Sequence, residues 1–387
     1  MLTNVELINF KSHRSTQLNF DGSRLYALVG QNSSGKTSIL QAVYYLSQLA
    51  NSDFRAVFAH ERSPEFIVTS GKNEFSVTGR GSWEDEDDDV QRSWEAYFKF
   101  EKRSDNSWSP TLLFWDAEAI AEYRCENPEH TSWSSSLSNA PHPIVEDLEH
   151  TISLKPVAAN LAKASYSEAV TPQVGFDGSG LAPTLDYLRN EAPDRFQALQ
   201  ELLKQVIPGV HKIGVRRAKV TVDRQRLIEV GGKTIPYEES QEVVGQEVVL
   251  DMNTGDRIPA HAVSEGTILA LGLLTVLMSP RRLNLVLLDD VEQGLHPKAQ
   301  RELMTVFKQI IQANPNLQII FSTHSPYIVD ELTPSQVHVL SNTNSGFTRC
   351  KRLDEHPDVE WAKQTLTTGE FWDAEGEDWV TAGEVNA

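Results

Sequence analysis

Gly30-Gln31-Asn32-Ser33-Ser34-Gly35-Lys36-Thr37 fits the pattern G-x-x-x-x-G-K-[ST]. Its surroundings decide the fold. Before it, Leu25-Tyr26-Ala27-Leu28-Val29 is an unbroken apolar run of strand length, as expected of a strand buried on both faces. After it, Ile39, Leu40, Val43 and Leu46 recur at helical spacing and predict a helix from Lys36 to about Leu49. Strand, glycine turn and helix together give the motif its chemistry. Gly30 and Gly35 let the backbone wrap closely. The N–H groups of the loop, through Asn32, Ser33 and Ser34, and the helix N-terminus then face phosphate oxygens. Lys36 would reach the β- and γ-phosphates of ATP, and the Thr37 hydroxyl would ligate Mg²⁺.

Such a loop needs a buried strand ending in acid. Leu285-Val286-Leu287-Leu288-Asp289-Asp290 supplies it. Asp289 would hold the metal, through water or Thr37, and Asp290 sits where a base orients the attacking water.

Outward from these motifs, the opening residues alternate apolar and polar, and predict short strands around Leu2–Phe10 and Leu18–Phe20. Strands are also expected at 66–68, 75–77 and 94–100. The acidic run Glu84–Asp89 would be a solvated hairpin tip or a partner-binding loop. Residues 103–180 read as irregular. Five of the eight tryptophans lie between Trp83 and Trp133, as packing residues or a base-stacking surface. Helices are predicted at 185–191, 193–206, 267–278 and 297–313, and buried strands at 283–288 and 317–322, with a strand-like block at 211–250. Buried strands alternating with helices at both ends imply a mainly parallel sheet.

Asp289-Asp290-Val291-Glu292-Gln293-Gly294-Leu295-His296-Pro297 resembles the D-E-P-E-x-G-L-H-P segment of ABC-type ATPases of the SMC/RecF/OLD-like class. Val263-Ser264-Glu265-Gly266-Thr267 resembles their shortened signature, S-x-G. Phe321-Ser322-Thr323-His324-Ser325-Pro326 resembles their switch-histidine segment, and Asn9-Phe10-Lys11-Ser12-His13 their opening N-F-[KR]-S. Gly178–Val210 looks like the helical insert of the smaller members. The resemblance implies that Ser264 and Gly266 contact a γ-phosphate bound by the opposite protomer and that His324 senses it. It places Gly294-Leu295-His296 at the dimer seam, so that hydrolysis requires a head-to-head dimer. The residues that contact adenine stay open, with Lys11 and His13 as candidates.

Two departures matter. The family's second acid is usually Glu, whereas here it is Asp290, whose carboxylate is retracted by roughly 1.5 Å; a misplacement of that size can cost about 10²-fold in a positioned step. Glu292 would compensate in part, and slow hydrolysis is expected. The roughly 250 residues between Lys36 and Asp289 also lack heptads, and about 60 residues after Pro326 are too few for a nuclease domain. Any nucleic-acid cutting would then fall to a separately encoded effector.

Composition narrows the setting. The chain has 387 residues and a net charge of −19, but Glu84–Asp89 and the segment from Asp354 onward carry most of it. The body can therefore present a basic face, such as His211–Lys219 with Arg224 and Arg226, and DNA stays open as a partner. Cys125 and Cys350 exclude a disulfide scaffold or a cysteine-built metal site. With no membrane-length apolar run and no leader-like N-terminus, a cytoplasmic protein is expected. The acidic segment 368–380 would dock Phe371, Trp372 and Trp379 into a partner groove or against its own domain.

The expected fold is α/β, with the ATPase head built from residues 1–102 and 251–345. An insert spans 103–250, and 346–387 forms an acidic aromatic tail. The leading functional expectation is a Mg²⁺-dependent ATPase sensor of prokaryotic antiviral defence. A RecF-like repair ATPase and a non-catalytic ATP-gated scaffold are the alternatives.

Overall fold

A computed structural model of the chain describes residues 1–382, except 51, 53, 59–60, 62, 85–90, 117–144, 146–147 and 231–232. It divides into two units. The first comprises Met1–Ser153, Leu283–Glu292 and Lys308–Ala387; the second comprises Leu154–Arg282 and Gln293–Phe307.

The first unit holds two sheets. One is antiparallel, in the order β2 (His13–Asn19), β1 (Leu2–Phe10), β4 (Glu74–Glu84), β5 (Gln91–Lys102), β6 (Trp108–Asp116). The other runs β14 (Thr348–Arg352), β13 (Val337–Asn342), β3 (Leu25–Gly30), β12 (Gln318–Ser322), β11 (Leu285–Leu288), β7 (Thr151–Leu154). Within it β13, β3, β12 and β11 are mutually parallel, and β14 pairs antiparallel with β13. Every residue of β3, β11 and β12 is buried, which accounts for their unbroken apolar sequences. The helix Lys36–Gln48 contacts strands of both sheets, burying Ile39, Leu40, Val43 and Leu46 in one core with Leu7, Phe75, Phe98 and Ile320.

The unit also buries two neutral histidines, His13 and His338. Burial pushes each down to about 4 from an ordinary 6.5. Between those values the unfolded chain binds protons that the folded chain refuses, so stability falls as pH drops from 6.5 towards 4. The full effect is on the order of 3 kcal/mol per histidine. His338→Gln is expected to lose less denaturation midpoint than the parent between pH 7 and 4.5. Parallel losses would contradict this.

In the second unit, helices Leu181–Glu191, Pro193–Val206 and Glu265–Leu277 pack together, beside a ribbon of β8 (Val210–Val230) and β9 (Lys233–Met252) with β10 (Arg257–Pro259) at its edge. The ribbon pairs continuously from Lys212↔Asp251 to Val230↔Lys233.

The structure departs from expectation in two places. Residues 66–68 are not a strand: Ser63 caps a 3₁₀ turn at Pro64–Phe66, and Phe66 is 67 % exposed. Residues 103–180 are less irregular than read, since β6 extends the first sheet and Leu154 already opens the second unit. Of the two readings of the tail, the structure shows packing against its own unit: Phe371 and Trp372 are buried and Trp379 packs 4.9 Å from His356. The acidic run 85–89 lies outside the described residues. Of the tryptophans, Trp83, Trp94 and Trp108 pack on the core, while Trp115 has no described side chain and Trp133 lies outside the described residues.

Candidate functional site

The parallel strands β3, β12 and β11 end on one side of the sheet, and their next residues form the candidate site. After β3 the chain turns through Gly30 (φ 141°), Ser33 (φ 64°) and Gly35 (φ 97°) into the helix at Lys36. Glycine is required at Gly30, where a Cβ would stand 2.2 Å from the Leu340 carbonyl oxygen. Asn32 and Ser33 are exposed, and Ser34 is buried.

The Lys36 side chain is buried along the loop, and Nζ donates to the Gly30 and Gln31 carbonyls, each at 2.8 Å. Burial lowers its pKa from the ordinary lysine value, and the carboxylates of Asp290, Asp289, Glu292 and Glu377 oppose that shift. Lys36 is thus the cation among four acids, and a phosphate chain entering here would share it.

After β11, Asp289 accepts from the Thr37 hydroxyl at 3.0 and 3.1 Å, and from Ser322 Oγ at 2.6 Å. Ser322 in turn accepts from the Asp290 N–H at 2.8 Å. Asp290 has φ 54°, a left-handed conformation that Asp tolerates better than most residues. After β12, the His324 N–H donates to Glu292 Oε1 at 2.8 Å, the His324 side chain is exposed, and Glu292 Oε2 is buried with no hydrogen-bond partner among the described residues. Lys36, Thr37, Asp289, Asp290, Glu292 and His324 thus belong to one unit and one sheet edge. Sequence reasoning gave Ser322 no role of its own, although it lies inside a quoted motif.

The donor set suits a hard cation, since Thr37 and Asp289 offer hydroxyl and carboxylate oxygens already in contact. Among the described residues there is no group of three or more His, Cys, Asp or Glu that could hold a metal. A cation here would need phosphate and water oxygens to complete its shell, as Mg²⁺ commonly does.

Ser264 and Gly266 stand in the second unit. Ser264 is exposed and caps the helix Glu265–Leu277, its Oγ accepting from the Thr267 N–H at 3.3 Å. A Cβ on Gly266 would lie 2.1 Å from the Gly294 carbonyl oxygen, so the backbones of the two glycines touch. Gly266→Ala is expected to destabilise the protein by about 2 kcal/mol, since neither backbone can step aside. Gly272→Ala meets only the movable end of Leu161 and should cost less. Melting temperatures check this ranking, and the reverse order would contradict the contact. His13 does not face a nucleotide base: it is wholly buried, with Nδ1 against Thr16 Oγ1 and Nε2 against the Gly35 carbonyl.

A glycine loop after one strand, an acid pair after the next strand but one and a histidine following the strand between them define an ABC-type P-loop ATPase of the SMC/RecF-like class. The chain belongs to the AAA_21 family, described as "AAA domain, putative AbiEii toxin, Type IV TA system", whose model matches residues 25–330. It is 20 % identical to the "Retron Vc95 probable ATPase" of Vibrio cholerae, over 89 % of this chain and 74 % of that protein. It is 31 % identical to the DNA replication and repair protein RecF of Phocaeicola vulgatus, over 31 % of this chain and 34 % of that one. Two solved SMC heads share the fold. One, bound to the C-winged helix domain of ScpA, has TM-score 0.55 and 14 % identity and covers 90 % of this chain and 96 % of that one. The other, from Pyrococcus furiosus and bound to the C-terminal domain of ScpA, has TM-score 0.55 and 13 % identity and covers 94 % and 99 %. The protein is an ATPase. No described helix is long and apolar enough to cross a membrane.

Proposed function

We propose that this cytoplasmic ATPase holds ATP with Mg²⁺ between two copies of itself, hydrolyses it slowly, and uses that cycle to restrain or activate a separately encoded effector, such as a nuclease, in antiviral defence. The observation that carries the catalytic part is the Thr37–Asp289–Ser322 hydrogen-bond chain beside Lys36.

In this reading the loop amides and Lys36 bind the phosphates. Thr37 and Asp289 would hold Mg²⁺, which when bound neutralises charge developing on the β- and γ-oxygens. Ser322 fixes the Asp289 carboxylate and, by accepting from the Asp290 N–H, fixes where Asp290 begins. Asp290 orients the attacking water, with the unpartnered oxygen of Glu292 as a second acceptor. The exposed His324 would meet the γ-phosphate. Ser264 and the Gly266 N–H would come from the opposite copy and stabilise developing charge.

The retron ATPase, similar along most of the chain, supports the defence setting. The RecF-like alternative draws on a similarity limited to 31 % of the chain. The basic cluster also weakens it, because Arg216, Lys219 and Arg224 are paired with Glu247, Glu242 and Glu168. Cations already paired release fewer counterions from DNA.

Asp290→Asn should slow hydrolysis and hold the closed state. Purified from its native host with ATP, this variant is expected to carry a stoichiometric small protein, identifiable by mass spectrometry. DNA without a protein partner would contradict the defence reading and favour repair.

A further inference from the structure

Three consecutive carbonyls of the phosphate loop are each gripped from behind by a side chain outside the loop. Asn342 Nδ2 donates to the Ser33 carbonyl at 3.1 Å. Thr348 Oγ1 donates to the Ser34 carbonyl at 3.0 Å. His13 Nε2 lies 3.2 Å from the Gly35 carbonyl. A carbonyl only accepts, so Nε2 carries the proton, and Nδ1 is left to accept from Thr16 Oγ1 at 3.0 Å. Burial holds this imidazole neutral at ordinary pH, down to about 4. The grip is tied together, since Ser12 Oγ lies 2.7 Å from Thr348 Oγ1 and the Thr348 N–H donates to the Ser12 carbonyl at 2.9 Å. There is no slack in it: a Cβ on Gly35 would be 2.7 Å from both His13 Nε2 and Thr348 Oγ1.

We infer that His13, Thr348 and Asn342 are positioning residues that aim the loop's amides at the phosphates. A trans peptide is planar, so its carbonyl and the next residue's N–H point in opposite directions. Drawing the Ser34 and Gly35 carbonyls backward therefore turns the N–H groups of Gly35 and Lys36 forward, to the side where phosphate oxygens would lie. The Ser33 carbonyl, held by Asn342, sets the peptide before them. Ser33 has positive φ, which a serine alone disfavours, so the outside contacts help to hold it; the Gly35 carbonyl also accepts from the Ile39 N–H at 3.2 Å, and His13 adds to that helix bond. All three side chains lie outside residues 25–330, the span matched by the family model. Asn342 ends β13 and Thr348 opens β14, so that hairpin is part of the nucleotide site rather than the start of a tail.

This inference rests on the loop being the phosphate site, and binding of ATP to the full chain tests the two separately. Thr348→Val keeps the shape and removes the hydroxyl, whereas Thr348→Ser keeps the hydroxyl. The valine variant is expected to bind ATP about tenfold more weakly, and the serine variant to stay within about twofold of the parent. His13→Phe should lose affinity similarly, and His13→Gln, whose amide nitrogen reaches the place of Nε2, should recover most of it. Asn342→Ala, at an exposed position that folding tolerates, should bind about threefold more weakly and serves if the valine variant fails to fold. Unchanged affinity in folded Thr348→Val or in Asn342→Ala overturns the inference, as does an equal loss in the valine and serine variants. If Lys36→Ala binds ATP like the parent, the phosphate site itself has been misassigned.

Discussion

Lys36→Ala is expected to lower kcat/KM for ATP by about 10³-fold, the scale of losing a principal charge-stabilising donor. Three effects combine. The triphosphate loses its nearest cation. The Gly30 and Gln31 carbonyls lose the ammonium that draws them together. Asp290, Asp289 and Glu292 lose the positive charge they surround, so a tetra-anionic ligand would meet uncompensated carboxylates. Lys36→Arg should not rescue, because a planar fork does not fit the channel that a point-like ammonium fills between two carbonyls. Turnover of Lys36→Ala within tenfold of the parent would mean that the chemistry lies elsewhere.

Asp289→Asn is expected to reduce turnover by about 10²-fold and to blunt its response to Mg²⁺. The parent carboxylate receives two hydroxyl donors, from Thr37 and Ser322. Both hydroxyls reach Oδ1, so an amide oxygen there can keep the two hydrogen bonds; what the substitution removes is the negative charge that a divalent cation needs. Binding of ATP without metal should change little, since Asp289 faces the loop through Thr37 rather than through its carbonyls. Titrating turnover against Mg²⁺ checks this, and a parent-like titration would remove Asp289 from the metal's surroundings.

What could be read from the sequence and what could not follow from range. The loop, β3 and the helix after it are contiguous, and the buried strands β11 and β12 declare themselves by unbroken apolar runs. The apolar triplet at 66–68 deceived because hydrophobicity without period does not separate a strand from a turn, and Ser63-Pro64 decided it locally. β6 was hidden by Pro110, which an edge strand accommodates and a central one would not. The grip on the loop had no local signal at all, since Asn342 and Thr348 act across more than 300 residues. The left-handed Asp290 is likewise set by the Ser322 hydroxyl on the neighbouring strand. For Phe371 and Trp372 the sequence left a partner groove and their own domain both open, because the site they dock on is made elsewhere in the chain. The Gly369 N–H donates to Asp330, and Thr368 Oγ1 to the Leu332 carbonyl.

The central claim is that ATP is held between two copies of this chain and is hydrolysed only there. Light scattering of Asp290→Asn, after size-exclusion chromatography with and without Mg-ATP, tests it most directly. The account predicts a doubling of the 43.3 kDa mass or of a larger basal assembly with ATP, and none when Ser264→Arg blocks the opposing face. An unchanged mass with saturating ATP, alongside parent turnover that is independent of protein concentration, would contradict it.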